Sequence, residues 1–312
     1  MARTGWTAAA AAGAVLLAGC GDPGPVTPTA TSSSPGPATA TLTDPVTVPA
    51  ETVPLDLAAL EAELDLRIGL VAVDTGSGRT VEHRADERFA HASTFKVLVA
   101  AAVLEGSTAA ELDEVVLPVT QDDLVHHSPV ATTRVGDGMT LRELGDAAVR
   151  VSDNAATNLL LEHVGGPPGL QAAVRAFGDS TTRLDRWEPE MSEAVPGDER
   201  DTSTPRALAA DLRLLVVDDG LDPQDRAVLD GWLRSSETGA GLVRAAVPDG
   251  WEVASKSGTG GYGNRNDVAV VRPPGRSPIV VAVLTRQDEP DDEPSDEAVA
   301  RAAAAALAEL DR

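Results

Sequence analysis

The chain has little cysteine, little lysine and few aromatic residues among its 312 positions. Cys20 is the only cysteine, which excludes an internal disulfide framework and leaves the rest of the chain without a cysteine nucleophile or a cysteine-based metal site. Positive charge is also scarce, and the net charge of −24 argues against nucleic acid and anionic membrane surfaces as partners. The hydrophobic content of 42% nevertheless suffices for a substantial buried core.

The first 20 residues have the composition of a signal peptide. Arg3 is followed by an apolar stretch, Ala8–Ala18, which is too short for a permanent membrane-spanning helix. It ends in LAGC at 17–20, which resembles a bacterial lipobox. That resemblance implies an exported protein that is cleaved before Cys20 and held at the cell membrane by a lipid on the cysteine sulfur. An ordinary cleaved signal is the alternative.

Composition and periodicity divide the remainder of the chain. Residues 21–54 are rich in Pro, Thr, Ser and Ala, and they predict a disordered tether. After it, 55–90 and 236–312 carry strand patterns with a helix at each end, whereas helix signals dominate 91–235. A single antiparallel sheet requires the first and last parts to come together. We therefore predict an α/β half with an all-helical half inserted in it, and a site at their junction.

Lysine occurs only at positions 96 and 256, although arginine occurs 23 times. The sequence STFKVLVAAAVL at 93–104 is otherwise apolar on every face and predicts a buried helix. Ser93 and Lys96 are three residues apart and share a face at the start of this helix. Burial and the helix N-terminus lower the pKa of such a lysine, and its neutral amine can take the serine proton, which arginine cannot do. The pair predicts an activated serine nucleophile.

Two further short motifs accompany this pair. VSDN places Ser152, Asp153 and Asn154 at the entry of a predicted helix, and KSGT places Lys256 and Thr259 on a predicted strand. The combination of S-x-x-K, S-D-N and K-T-G is shared by class A β-lactamases and penicillin-binding proteins. The chain carries all three motifs in that order, with serine for threonine in the last.

Residues from about 55 to 312 resemble the class A serine β-lactamases along their whole length. The most specific part of the match is the Ω-loop segment TTRLDRWEPEMSEAVPGDERDTSTP at 181–205. The resemblance implies an α/β (α+β) fold of the serine β-lactamase and D,D-peptidase type, with an antiparallel sheet flanked by the terminal helices. It also implies hydrolysis of β-lactam antibiotics through a serine acyl-enzyme, and hence resistance to them.

The resemblance assigns roles to individual residues. Ser93 would be the nucleophile, Lys96 and Ser152 would carry protons, and Glu188 would activate the water that releases the acyl group. The backbone N–H groups of Ser93 and Thr259 would form the oxyanion hole. The residues expected to bind substrate are Asn154, Lys256, Ser257, Thr259, Arg265 and His127.

Two positions depart from the family pattern. Ser192 stands where the family usually has asparagine, a side chain that helps to hold the deacylating water, and serine offers one hydroxyl in place of an amide. His127 stands where an aromatic residue, usually tyrosine, lines the cleft entrance. Both changes put the rates and the substrate range in question.

The family match also implies features of the loop around Glu188. The peptide bond between Glu188 and Pro189 should be cis. The expected ion pairs are Arg186 with Asp201 and Arg183 with Asp185.

Metal ions and cofactors are not expected. The five histidines, at 83, 91, 126, 127 and 163, lack the spacing of a ligand cluster. We expect a monomer with a small-molecule β-lactam substrate. Two other functions share the three motifs or the export signal: a D,D-peptidase acting on peptidoglycan, which the glutamate of the RWEPE segment disfavours, and a lipoprotein that senses β-lactams without turnover.

Overall fold

The computed structural model describes residues 51–312. The predicted signal peptide, Cys20 and all but the last residues of the predicted tether lie outside the described residues. The ten helices of the described part are Ala58–Leu64 (α1), Lys96–Gly106 (α2), Ala109–Leu112 (α3), Leu141–Arg150 (α4), Asn154–His163 (α5), Gly166–Ala176 (α6), Pro205–Val216 (α7), Pro223–Arg234 (α8), Val243–Ala246 (α9) and Asp296–Leu310 (α10). The ten strands of the same part are Thr52–Pro54 (β1), Arg67–Asp74 (β2), Thr80–His83 (β3), Phe89–Ala90 (β4), Val115–Pro118 (β5), Gly138–Thr140 (β6), Thr202–Ser203 (β7), Glu252–Thr259 (β8), Arg265–Arg272 (β9) and Ile279–Arg286 (β10).

One six-stranded sheet joins the two ends of the described chain, in the order β1-β3-β2-β10-β9-β8. The pairing of β2 with β10 sets Ala72 opposite Val281, so strands more than 200 residues apart in sequence are neighbours. All pairs are antiparallel except β1 with β3, which is parallel. The sheet is therefore mixed rather than purely antiparallel as predicted, because β1 enters on the outside of β3.

The boundary predicted at residue 54 is also wrong by a few residues. Thr52–Pro54 forms β1, and Val53 is half-buried opposite Val81. The Pro-rich composition of the segment predicts a linker and gives no strand signal. Proline is tolerated there because β1 is an edge strand whose outer N–H groups need no partner.

Local sequence signals account for the starts of two helices. Thr140 and Glu143 form a capping box at the start of α4. Thr204 caps α7 through the N–H of Ala207, with proline as the first helical residue. Each cap gives a hydrogen-bond partner to a backbone N–H at the helix start that has none within the helix.

Two apolar cores lie on opposite faces of the sheet. The smaller packs α1 and α10, which contributes Val299, against sheet residues such as Ile68 and Val281. The larger packs the helices of 96–234 around α2, whose residues 96–104 are all buried. A helix that is apolar all round is the expected centre of such a core. Its first turn therefore lies inside the molecule, facing the end of β8.

Candidate active site

The segment before α2 turns sharply and presents Ser93 to a cleft. Residues Ala92–Phe95 form a 3₁₀ turn, and Ala92 has a φ of 43°, a left-handed conformation that is costly for a residue with a Cβ. Strand β8 approaches this turn so closely that a Cβ on Gly258 would lie 3.2 Å from the backbone nitrogen of Ser93. The N–H of Gly260 bonds to Asn264, so the preceding N–H, that of Thr259, points away from β9 at the open edge of the sheet, and Ser93 and Thr259 line the same cleft. This is the arrangement an oxyanion hole requires.

Lys96 lies beneath Ser93 and is completely buried. Its Nζ donates to the Ser152 carbonyl oxygen at 2.9 Å, to Ser152 Oγ at 3.2 Å and to Asn154 Oδ1 at 2.5 Å. It also lies 3.2 Å from Glu188 Oε1. Burial lowers the pKa of Lys96 from its ordinary value, and the Glu188 carboxylate only partly opposes this effect. This direction agrees with the one expected from the sequence.

Ser152 connects the two lysines of the chain. It sits between α4 and α5 with a φ of 61°, and its Oγ accepts from Lys96 and, at 3.1 Å, from Lys256. Lys256 is also fully buried and donates to the carbonyl oxygen of Ser257 at 2.7 Å. Burial and the neighbouring charge of Lys96 lower the pKa of Lys256 well below its ordinary value. A hydroxyl between two amines is placed to pass a proton.

The residue between Ser152 and Asn154 has a structural task. Asp153 caps α5 by accepting from the N–H of Ala156 at 2.9 Å, and its other oxygen accepts from the N–H groups of Val130 and Ala131. It thereby fixes the loop that carries His127. Asn154, the first residue of α5, donates from Nδ2 to the carbonyl oxygen of His126 at 2.9 Å.

Glu188 reaches the site from the loop between α6 and α7, where it is 2% exposed. Asn158 on α5 holds its backbone at both ends: Nδ2 donates to the Glu188 carbonyl oxygen at 2.9 Å, and the Glu188 N–H donates to Asn158 Oδ1 at 3.0 Å. The Ser192 hydroxyl donates to Glu188 Oε2 at 3.3 Å. The carboxylate thus lies between Lys96 on one side and Ser192 on the other.

The features predicted for this loop are present. The peptide bond between Glu188 and Pro189 is cis. Arg186 Nε lies 2.5 Å from Asp201 Oδ2, and Arg183 pairs with Asp185 at 2.9 Å. Asp201 is fully buried, so its pairing with Arg186 closes the base of the loop.

The cleft has a volume of about 420 Å³. It is lined by Ser93, His126, His127, Ser152, Asn154, Pro189, Ser192, Thr238, Ser257, Thr259 and Arg265. Every predicted substrate-binding residue except Lys256 therefore lines one cavity, and Lys256 lies just beneath it. His127 is exposed at the rim, and its Nε2 lies 3.1 Å from the Val151 carbonyl oxygen.

One side of the cleft carries hydroxyl groups and a guanidinium. Ser257 Oγ donates to Thr238 Oγ1 at 2.7 Å, and Arg265 donates to Thr259 Oγ1 at the same distance. Arg265 is also paired with Asp296, the first residue of α10, at 2.6 Å. This ion pair, which nothing in the sequence predicted, orients the guanidinium towards the cleft wall.

Comparison with known proteins gives these residues a context. Residues 55–310 match the family model described as the beta-lactamase enzyme family. The chain is 54% identical over 264 residues to a beta-lactamase of Amycolatopsis lactamdurans, which covers 85% of this chain and 87% of that one. It is 49% identical over 285 residues to beta-lactamase AST-1 of Nocardia asteroides, with 91% and 88% covered. The chain belongs to the beta-lactamase enzyme family.

Solved structures of β-lactamases share the fold. The crystal structure of a halotolerant bacterial beta-lactamase has a TM-score of 0.81 at 45% identity, covering 83% of this chain and 99% of that one. A class A beta-lactamase from Clostridium kluyveri has a TM-score of 0.80 at 41% identity, with 82% and 97% covered. The α+β fold predicted from the sequence is confirmed, and the enzyme is a serine β-lactamase.

Two residues of this β-lactamase site were missed in the sequence. Asn158 follows Asn154 by four residues on a helix, so their shared face was a usable signal. Thr238 lies in a loop 19 residues before Ser257, and nothing local marks it as a partner of that serine. Only the folded chain brings the two hydroxyls together.

Two further observations concern residues 51–312 only. None of their helices has both the length and the apolar character needed to cross a membrane. None of their His, Cys, Asp and Glu side chains form a group of three or more that is placed to hold a metal ion.

Proposed function

We propose that this β-lactamase opens its substrate through an ester on Ser93. The observation that carries the proposal is the continuous chain of contacts beneath the nucleophile, in which Lys96 reaches both Ser152 Oγ and the carboxylate of Glu188. A single buried amine then serves both halves of the reaction. The half that forms the ester uses Ser152, and the half that hydrolyses it uses Glu188.

In acylation, Ser93 Oγ bonds to the lactam carbonyl carbon while Lys96 takes its proton. The developing oxyanion accepts from the N–H groups of Ser93 and Thr259. As the carbon–nitrogen bond breaks, Ser152 gives its proton to the lactam nitrogen and recovers one from Lys96. The net result is an ester on Ser93 and a protonated ring nitrogen.

In deacylation, Glu188 removes a proton from a water molecule whose oxygen bonds to the ester carbon. The bond to Ser93 Oγ breaks, and the proton returns to the serine. The Ser192 hydroxyl, which donates to Glu188, offers a second polar contact for that water in place of the usual amide. Serine in place of asparagine at position 192 therefore changes how the water is held, but Glu188 is still present as the base.

Substrate recognition follows from charge. The carboxylate of a β-lactam would be received by Lys256, Ser257, Thr259 and Arg265, which form a local basic wall on a chain of net charge −24. Asn154 would donate to the acylamino group of the substrate. Its Oδ1 already accepts from Lys96 and one N–H of its Nδ2 donates to the His126 carbonyl oxygen, which leaves the second N–H for the substrate. His127 would line the entrance.

The place of action is also part of the proposal. Residues 1–20 direct export, Cys20 carries the lipid that holds the enzyme outside the cytoplasmic membrane, and the tether sets the catalytic part away from the surface. The enzyme acts there as a monomer.

Counting turnovers tests the proposed chemistry. With excess chromogenic cephalosporin, we expect continued product formation from the wild-type enzyme. Glu188→Gln should instead give a burst of one equivalent and a steady rate lower by about 10²–10⁴-fold, because only the base for deacylation is lost. Mass spectrometry should then find the ester on Ser93.

Other outcomes would redirect the function. A burst that stops in the wild-type enzyme would favour a D,D-peptidase or a sensor, and unchanged turnover in the glutamine variant would remove Glu188 from its role. The matched control is Glu190→Gln, which changes an exposed carboxylate two residues away in the same loop.

A further inference from the structure

The residue two positions before the nucleophile is a buried histidine. His91 is fully buried, and its ring packs against Phe95 with the ring centroids 5.4 Å apart. Nothing in the chemistry described above uses this side chain. A polar ring with no exposure has to find hydrogen-bond partners within the protein, and these partners show what the ring connects.

Both ring nitrogens of His91 face backbone carbonyl groups. Nδ1 lies 3.1 Å from the carbonyl oxygen of Ala92, and Nε2 lies 3.0 Å from that of Arg183. A carbonyl oxygen only accepts, so each of these bonds needs an N–H on the ring. The neutral ring supplies one such bond, and the imidazolium supplies both. The two acceptors belong to different parts of the site, because Ala92 adjoins the nucleophile and Arg183 begins the loop that carries Glu188.

The backbone of His91 joins the same two parts. Its N–H donates to the carbonyl oxygen of Asp201 at 3.1 Å, at the other end of the Glu188 loop. Its carbonyl oxygen accepts from Thr94 Oγ1 at 2.6 Å and from Asn266 Nδ2 at 3.2 Å, which holds the nucleophile turn against β9. One residue therefore touches both ends of the loop and the strained turn that aims Ser93.

We propose that His91 is a positioning residue that sets the distance between the nucleophile and the deacylating base. This inference rests on the proposed roles of Ser93 and Glu188. The nucleophile turn has other anchors, Thr94 and Asn266, whereas the His91 ring is the only side chain of that turn found bonded to the start of the loop within residues 51–312. Because Thr94 and Asn266 still hold the turn, loss of the ring should move the start of the loop relative to Ser93. Asn158 holds only the backbone of Glu188, so we expect the displacement to reach the Glu188 carboxylate and its water.

Such a shift has a kinetic signature. When an ester forms and is then hydrolysed, slowing only the second step lowers kcat and KM by the same factor, because the enzyme accumulates as the ester. The ratio kcat/KM reports acylation and stays unchanged. Partial unfolding, by contrast, lowers kcat at constant KM.

Three variants of the full chain test the proposal. His91→Phe keeps a ring beside Phe95 but removes both ring nitrogens. Gln and Asn each restore one donor: the side-chain amide of Gln reaches the position of Nε2 and can bond to Arg183, whereas that of Asn reaches only the position of Nδ1. We expect both kcat and KM to fall by about tenfold or more in His91→Phe and His91→Asn, since small misplacements of reacting groups are costly. In His91→Gln, both constants should stay within about threefold of the wild-type values.

Val281→Ala is the control for stability. It removes buried atoms from the far face of the sheet and should lower Tm with normal KM. The proposal is wrong if His91→Phe leaves kcat and KM unchanged, or if it lowers kcat at constant KM, which would indicate partial unfolding. It is also wrong if His91→Gln and His91→Asn change kcat and KM by the same factors. Failure of the proposed function would be distinguishable, because the wild-type enzyme itself would then show no turnover.

Discussion

At the scale of single residues, the contrast between lysine and arginine explains the chemistry. The chain uses arginine for surface ion pairs, such as Arg206 with Asp86, and keeps lysine for two fully buried positions. A guanidinium stays charged in any protein environment, whereas a buried amine loses its proton readily. The use of lysine at 96 and 256 therefore indicates positions that need a side chain able to lose its proton, or a smaller cation than a guanidinium.

Replacing Lys96 by arginine tests this reading. The pKa of Lys96 is lowered by burial, so in the wild-type enzyme the acylation rate should rise with pH until this amine is deprotonated, at lower pH than for an exposed lysine. Lys96→Arg should lower the acylation rate by about 100-fold or more and abolish this rise. Burst-phase rates between pH 5 and pH 9 measure both effects. A variant that keeps the pH profile of the wild type would show that another group takes the serine proton.

At the scale of elements, the edge strand β8 and the turn before α2 together form the proposed oxyanion hole. Gly258 permits their close approach, because a Cβ there would lie 3.0 Å from the His91 carbonyl oxygen and 3.2 Å from the Ser93 nitrogen. Both neighbours are backbone atoms, so the strand or the turn has to move if a side chain is added. A movement of a few tenths of an ångström is enough to misplace an N–H donor.

Gly258→Ala should therefore lower kcat/KM by about tenfold or more with only a modest change in Tm. The matched control is Gly231→Ala in α8, where a Cβ would meet nothing within 4 Å. That change should leave activity unaltered and stabilise the helix by up to about 1 kcal/mol. Steady-state kinetics and thermal unfolding on both variants check the pair, and equal activity in the two alanine variants would contradict the proposed geometry.

A second element-level feature is a pair of carboxyl groups between α7 and the start of the Ω-loop segment. Asp211 on α7 is buried, and burial together with the charge of Asp179 raises its pKa to about 8. Asp179 accepts from the N–H groups of Thr181 and Thr182, so it holds the start of the loop. A protonated Asp211 can donate to Asp179, whereas an ionised one would repel it.

The sign of the pH effect follows from linkage. With a folded-state pKa of about 8 and an ordinary value near 3.8, the folded protein keeps a proton that the unfolded chain releases, so this group lowers stability as pH rises from about 4 to 8. Asp211→Asn cannot ionise. Its Tm should exceed that of the wild type by an amount that grows from pH 5 to pH 8 and is constant above. Differential scanning calorimetry checks this, and a difference in Tm that does not change with pH would contradict it.

At the scale of the whole molecule, the site is assembled from segments that are far apart in sequence. The proposed nucleophile comes from the turn before α2, the proposed base from the loop before α7, and the proposed anion-binding wall from β8 and β9. The order of strands places β8 at the edge of the sheet beside the turn before α2, because the first and last parts of the chain pair through β2 and β10. The cleft is therefore a product of topology.

The proposed lipid anchor is tested at this scale too. In a bacterial host, the full-length enzyme should fractionate with the membrane, and Cys20→Ser should be released to the outside with an unchanged kcat, because the proposed lipid would be attached away from the catalytic part. Activity measured in membrane and soluble fractions, with immunodetection of the chain, checks this. Release of the wild-type enzyme to the same extent would favour an ordinary cleaved signal.

Much of the fold and of the candidate site could be predicted from local patterns. The spacing and polarity of neighbouring residues suffice for several elements. These are the strands around the turn at 75–78, the buried helix after Ser93, the helices capped by Thr140 and Thr204, and the terminal helix. The parallel strand β1 could not be predicted, because its pairing partner lies 28 residues away and its own composition is that of a linker.

The sequence by itself determined which chemical groups this β-lactamase has: a serine with a buried lysine, a second lysine followed by hydroxyls, and a glutamate in a proline-containing loop. Only the tertiary structure decided how they are joined. The hydroxyl of Ser152 lies between two lysines, Asn158 holds the backbone of Glu188, and the ring of His91 links the nucleophile turn to the loop. The physical reason is that such bonds depend on directions and distances of a few ångströms between distant segments, which packing sets and residue order does not record.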